Sequence, residues 1–110
     1  MAAEENSPDQ PHPKEILLKL LTGKWKPRIF RHAVEGPVRF GQMSRLIPNI
    51  NRQALASALH ELEDNNILQR KVIKLKPLHI EYSLTERGIG FIPVFKEMEK
   101  LSPAGWQDPV

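Results

Sequence analysis

The stretch that decides the fold runs from Ile50-Asn51-Arg52-Gln53-Ala54-Leu55 through Leu59 and Leu62 to Ile67-Leu68-Gln69-Arg70, and on to Ile80-Glu81-Tyr82-Ser83-Leu84-Thr85. Its first part has the marks of a capped helix. Asn51 is placed as the N-cap, because a short amide side chain can accept from the free backbone amides of a first turn. Leu55, Leu59 and Leu62 follow at i, i+4 and i+7 and share one buried face. Gln53, Ser57 and His60 consequently fall on the opposite, solvent-facing side. Asn65-Asn66 supplies a turn, and the β-branched pair Val72-Ile73 together with Ile67 predicts a strand beginning near Ile67. Lys76-Pro77-Leu78 turns the chain back. From His79 to Leu84, Ile80, Tyr82 and Leu84 alternate with Glu81 and Ser83, as a half-buried antiparallel strand should. The stretch is therefore a capped helix feeding into a basic two-stranded hairpin.

Toward the N-terminus, Phe40, Met43, Leu46 and Ile47 mark a short helix closed by Pro48. Before it, a helix starting near Pro27 runs to about Val34, with Ile29, Phe30, Ala33 and Val34 as its inward stripe; Gly36-Pro37 stops it. Ile16, Leu17, Leu20 and Leu21 recur at helical spacing and are interrupted by Gly23. Residues 1–13, holding Pro8, Pro11 and Pro13 among several charges, read as a disordered or loosely attached tail. Toward the C-terminus, Thr85 with Glu86 starts a last helix. Its residues Ile89, Phe91, Ile92, Val94, Phe95, Met98 and Leu101 cover more than one stripe, and Gly88, Gly90 and Pro93 weaken and kink it. Residues 102–110 form a Pro-rich tail containing Trp106. Three short helices, a capped helix and a hairpin predict an α+β, mainly helical fold: a winged helix-turn-helix domain over residues 14–101 with a two-stranded wing.

The apolar surplus of the last helix exceeds what a small domain can cover. It predicts N- and C-terminal dimerisation helices, with a homodimer seam built from Ile16, Leu17, Leu20, Ile92, Phe95 and Met98. A single larger core is the simpler alternative.

The whole chain sets limits on function. Its 110 residues suit one domain, and 40% hydrophobic with 26% charged residues is ordinary for a globular protein. No apolar run approaches the roughly 18 residues of a membrane span, and Met1 to Pro13 lacks the apolar core of a secretory signal, which points to a cytoplasmic, membrane-free setting. The absence of cysteine excludes disulfides, thiolate nucleophiles, cysteine zinc sites and thiol switches within these residues. His12, His32, His60 and His79 lack metal-ligand spacing, and neither a phosphate-binding glycine loop nor a nucleophile motif appears, so no catalytic residue, metal or cofactor is expected. His60 and Glu63 read as surface residues rather than an acid-base pair.

Charge is more informative in its distribution than in its total of +3. Beyond Glu15 the chain carries 15 Lys and Arg against 9 Asp and Glu, and between Lys19 and Arg52 eight basic residues face only Glu35. Arg70, Lys71, Lys74 and Lys76 form a second cluster. This suits a polyanion such as double-stranded DNA, although solvated surface lysines are the plain alternative. A winged helix places its helix in a groove and its hairpin on the flanking backbone. Asn51, Arg52, Gln53, Ser57 and His60 are then the candidate recognition-helix contacts; Lys74, Lys76 and His79 those of the wing; and Lys24, Lys26 and Arg28, at the start of a helix, phosphate contacts. Trp25 reads as a core residue rather than a stacking platform.

The segments Leu20-Leu21-Thr22-Gly23-Lys24-Trp25, Gly36-Pro37-Val38-Arg39-Phe40, Leu55 to Leu62 and Glu81-Tyr82-Ser83-Leu84-Thr85-Glu86-Arg87-Gly88 resemble those of the HxlR-type, MarR-like winged helix-turn-helix transcription regulators. The resemblance runs from about Lys14 to Leu101. It implies a dimeric DNA-binding regulator, usually prokaryotic, with the helix after Ile50 as recognition helix and the Lys76-Pro77 turn at the wing tip. Many relatives carry a sensing cysteine near the first helix; this chain has Pro11-His12-Pro13-Lys14 there, so thiol sensing does not carry over. An unknown small-molecule effector between the dimer helices and the winged helix is compatible with the pattern, but no polar cluster marks its pocket. Where relatives often have polar or basic side chains in the recognition helix, this chain has Ala56 and Ala58. That departure supports a rival reading, a winged-helix module that binds protein through its apolar helices and makes little use of DNA.

Overall fold

The computed structural model describes residues 12–101. In order these form α1 (Pro13–Leu21), α2 (Lys26–Val34), α3 (Phe40–Leu46), α4 (Arg52–Asp64), β1 (Leu68–Leu75), β2 (Leu78–Leu84), α5 (Glu86–Gly90) and α6 (Ile92–Glu99). The fold is the expected α+β winged helix. Apart from His12 and Pro13, the two predicted tails, and Trp106 with them, lie outside the described residues. Pro13 is the first residue of α1 and His12 its N-cap. Proline suits the first turn because no amide is needed there, and the His12 Nδ1 accepts from the Lys14 amide at 3.1 Å.

The core lies where α2, α3, α4 and the start of β1 meet. Ile29, Met43, Ile47, Leu55, Leu59 and Leu68 are completely enclosed, and each such side chain contributes about 1.5–3 kcal/mol by leaving water. The helix-turn-helix is α3 and α4, joined by Ile47 to Asn51. Asn49 takes a left-handed φ of 66° in this turn, which a short amide side chain tolerates. Asn51 caps α4 as expected, its Oδ1 accepting from the Ala54 amide at 2.7 Å. Asn66, at φ 58°, makes the second tight turn, from α4 into β1.

The wing is antiparallel, pairing Leu68 with Leu84 and Val72 with Ile80, with a bulge that leaves Ile73 between the Val72 and Lys74 pairs. Val38 adds a short bridge on the other edge of β2: its amide and carbonyl exchange hydrogen bonds with Tyr82 at 2.8 Å each. This bridge ties the turn before α3 to the wing and had no signal in the periodicity.

Three expectations change. First, the alternation along β2 is not reproduced in burial, because residues 79–84 are all half-buried. Its polar face is shielded by its own partners: Glu81 Oε2 meets His79 Nε2 at 2.9 Å, and Ser83 Oγ accepts from Gln69 Nε2 at 3.4 Å. Second, Val34 is 41% exposed, since it ends α2 beyond the reach of the core. Third, the last helix is broken in two at Phe91, whose amide reaches the Gly88 carbonyl at 3.0 Å in a tightened turn. Pro93 has no amide to donate to Ile89, so the ladder stops and a new helix starts with proline in its first turn.

Candidate nucleic-acid interface

Helix α4 positions the candidate reading face. With Leu55, Ala58, Leu59 and Leu62 buried, the 100° step of the helix carries Arg52, Gln53, Ala56, Ser57 and His60 to solvent, and all five are exposed. Arg52 leans across the helix-turn-helix, its guanidinium carbon 5.0 Å from the Phe40 ring centroid, a cation–π contact between the start of α4 and the start of α3. That contact limits the directions its fork can take. The Oδ1 of Asn51 is engaged in the cap. At the far end His60 Nε2 lies 3.5 Å from Asp64 Oδ2 one turn on, so a carboxylate accompanies the histidine. Gln53 and Ser57 are the least encumbered polar groups of the stripe.

Ala58 is only 6% exposed and belongs to the core. Its small side chain answers a packing need and takes nothing from the reading face, contrary to the sequence expectation. Ala56 alone is an apolar residue on that face.

In the wing, Lys74 and Lys76 are exposed, and among the described residues neither makes an ion pair. His79 is different. Its Nε2 meets Glu81 Oε2 at 2.9 Å, which holds the ring along the strand. Leu75 and Leu78 are also exposed at the tip. Arg39 and Arg45, at the two ends of α3, and Arg70 and Lys71 on β1 are exposed too. The sequence reading counted them only as charge. Their exposure on elements that pack against α4 required the tertiary arrangement, although Arg39-Phe40 immediately before a helix was the local signal.

The predicted phosphate cluster Lys24, Lys26 and Arg28 does not hold together. Lys26 points at α4 and pairs with Glu61, Nζ to Oε2 2.7 Å, with its side chain only 13% exposed. It braces α2 against α4. Lys24 Nζ lies 4.7 Å and the Arg28 guanidinium carbon 5.8 Å from the Trp25 ring centroid. Trp25 itself packs partly against the core, as expected. Lys24 and Arg28 line a groove of about 870 Å³ between α2 and α6, together with Phe30, Val34, Ile92, Phe95 and Met98. Helix geometry separates Lys26 from them, so the cations nominated for DNA divide between an internal brace and the α6 side. This groove also supplies the polar rim that the sequence did not reveal near the last helix.

The seam residues divide as well. Leu20 is 5% exposed and sits in the chain's own core, so it is closed to a partner. Leu17, Ile92 and Phe95 pack partly against that core. The Phe95 ring stacks on Phe30 at 4.5 Å. Met98 is open to solvent, as are Leu18 on α1 and Ile89, Val94 and Leu101 on the C-terminal segment. Ile16 falls in α1, but its side chain lies outside the described residues.

Among the described residues no group of His, Asp and Glu could hold a metal ion, and no helix is long and apolar enough to cross a membrane.

A capped helix reached through a tight turn, followed by a two-stranded basic hairpin, defines a winged helix-turn-helix protein. The chain belongs to the HxlR-like helix-turn-helix family, whose model matches residues 20–108. YybR of Bacillus subtilis (strain 168), a helix-turn-helix-type transcriptional regulator, is 38% identical over 88 residues, covering 80% of this chain and 70% of YybR. The transcriptional regulator YodB of the same organism is 38% identical over 85 residues, covering 77% of this chain and 76% of YodB. The structure of reduced YodB matches with a TM-score of 0.75 at 37% identity, over 83% of this chain and 90% of that one. The reduced form of the redox regulator HypR matches with a TM-score of 0.75 at 37% identity, over 81% and 88% of the two chains. The family is one of transcription regulators, not enzymes.

Proposed function

We propose that this chain is a sequence-specific, DNA-binding transcriptional regulator that acts in the cytoplasm as a homodimer on a pseudo-palindromic operator. Helix α4 enters the major groove, with Arg52, Gln53 and Ser57 toward base edges. The wing lies on the flanking backbone through Lys74 and Lys76, joined by Arg70 and Lys71. The two half-sites lie about one helical turn, roughly 34 Å, apart. The observation that carries the reading is that one helix-turn-helix and wing unit presents both the exposed polar stripe of α4 and wing lysines that make no ion pair among the described residues. A polyanion is the partner that both features suit.

Regulation by a thiol is excluded for these 110 residues, which contain no cysteine. YodB has been crystallised with a quinone bound. An effector of this chain would not act through a thiol of these residues, and the groove between α2 and α6 is the candidate place. The protein-interaction alternative draws on the exposed apolar face of α6; its support from Ala58 is gone.

Selection of bound molecules from a random duplex pool, followed by a salt titration of the winner, tests the proposal. An enriched inverted repeat whose affinity falls steeply with salt is expected. No enrichment, with salt-insensitive binding, would favour the protein-interaction alternative.

A further inference from the structure

The motif Thr85-Glu86-Arg87-Gly88 lies outside the reading face, yet it joins the end of α4 to the start of the C-terminal helices. The Thr85 hydroxyl donates toward the Asn66 carbonyl at 2.6 Å and lies 3.2 Å from that of Ile67, and it accepts from the Gly88 amide at 2.9 Å, capping α5. The Thr85 amide donates to the Ile67 carbonyl at 3.0 Å. Arg87 Nε donates to the carbonyl of Asn65, the C-cap just after α4, at 3.2 Å, while its guanidinium carbon lies 5.6 Å from the Phe91 ring centroid. Gly88 leaves no room for slippage, because a Cβ there would run into the Ile67 carbonyl oxygen. A helix C-terminus normally leaves its last carbonyls to water or to a local cap. The last carbonyls of α4 are capped in this local way, by the amides of Asn65, Asn66 and Ile67, while the carbonyls of the turn just beyond, Asn65 to Ile67, are taken by Thr85 and Arg87 of the segment that leads into α6.

Two further contacts complete a closed frame. Phe95 of α6 stacks on Phe30 of α2, and Lys26 of α2 pairs with Glu61 of α4. Helix α4 is thus tied to the α5–α6 segment twice near its C-terminal end, by the motif at the turn that follows it and, at Glu61 in its last turn, by way of α2.

We infer that Thr85 and Arg87 are positioning residues that set the distance and phase between the two recognition helices of the dimer, and hence the operator spacing that the protein accepts. The inference rests on the homodimeric DNA-binding reading. On DNA the spacing is sharply defined, since one inserted base pair rotates a half-site by roughly 35° about the duplex axis. A rigid joint passes that mismatch to the DNA as bending or twisting; a loosened joint absorbs it.

The test is a set of duplexes carrying the selected half-sites with spacers lengthened or shortened by one and two base pairs, measured against the parent, Arg87→Ala, Arg87→Lys, Thr85→Val and Thr85→Ser. The parent should lose about tenfold in affinity or more per base pair, the scale of DNA deformation and lost base contacts. Arg87→Ala and Thr85→Val should flatten that loss to about threefold or less on the same scale while keeping the parent's base preference within each half-site. Arg87→Lys and Thr85→Ser, which keep a donor in place, should return toward the parent profile. Arg87 is exposed, so its variant keeps the test open even if Thr85→Val does not fold. A parent-like spacing profile in Arg87→Ala, or equal weakening at every spacing, would overturn the inference while leaving the DNA-binding reading intact. A parent that shows no dependence on spacing would overturn the dimeric reading and the inference with it.

Discussion

Helices α4 and α6 are built from comparable proportions of apolar residues and reach opposite states. α4 sinks Leu55, Ala58, Leu59 and Leu62 into the core and presents a polar stripe to solvent. α6 has no fully buried residue: Ile92 and Phe95 touch the core while Val94 and Met98 stay open. The first helix is completed by its own chain, and its outer face is available to a polar partner. The second keeps an apolar face uncovered, which costs free energy in proportion to the area left in water. The same contrast divides the cations: Lys26 is drawn inward to α4, whereas Lys24 and Arg28 border the groove at α6.

The most severe way to break this contrast is to hollow out the completed helix. Leu59→Ala should destabilise the fold by about 2–5 kcal/mol, the cost of a lost side chain and the cavity it leaves, seen as a lower denaturant midpoint at an unchanged slope. Met98→Ala on α6 should change the stability of the isolated fold by less than about 1 kcal/mol, as expected where no cavity forms. If the two substitutions cost the same, the contrast is false. Charging the open face with Val94→Glu and Met98→Glu together should convert the chain to a monomer at micromolar concentration in sedimentation while leaving its far-ultraviolet circular dichroism unchanged. A species of unaltered mass would remove α6 from the seam.

Smaller effects sharpen the account of α4. Arg52→Ala should relax sequence preference at one position by about 1–3 kcal/mol, whereas Lys76→Ala should weaken binding to all sequences alike and reduce the salt slope by about one; competition assays on matched and mismatched duplexes separate the two. Variants that both bind like the parent would show the site assignment to be wrong. The smallest effect concerns His32. Burial lowers its pKa, the neighbouring Arg31 lowers it further, and Glu35 opposes them. The folded chain therefore binds fewer protons than the unfolded one in the window between the lowered value and the ordinary one near 6.5. Stability is full above that window and falls as pH drops through it. His32→Gln should flatten this part of a stability-against-pH curve, and an unchanged curve would assign the loss to other groups.

The pattern of what the sequence disclosed follows the same division. The α3–α4–wing unit was legible because the periodicity of Leu55, Leu59 and Leu62, the Asn51 cap and the turn residues are local signals that agree with one another. The break at Phe91 was legible only as a weakness, since Pro93 marks a missing donor without saying whether a helix bends or restarts. The site was less legible than the fold. Lys26 and Glu61 are 35 residues apart, and nothing local says that this lysine serves a brace rather than a phosphate. His79 and Glu81 stand two apart on one strand face, so their pairing was written in the alternation. Ala58 illustrates the reverse: its burial follows from the i+3 step after Leu55, and counting that step separates it from the exposed Ala56. The Thr85 and Arg87 links join segments 18–22 residues apart, and the motif that carries them was visible as a string of residues without its partners.

Titration of the chain against a duplex bearing the selected inverted repeat, and against the same duplex with one half-site scrambled, across a series of salt concentrations, tests the central claim most directly. The account predicts two chains per intact duplex, a large loss of affinity on scrambling, and a steep linear fall of log affinity with log salt. One chain per duplex, equal affinity for both duplexes, or binding indifferent to salt would contradict it.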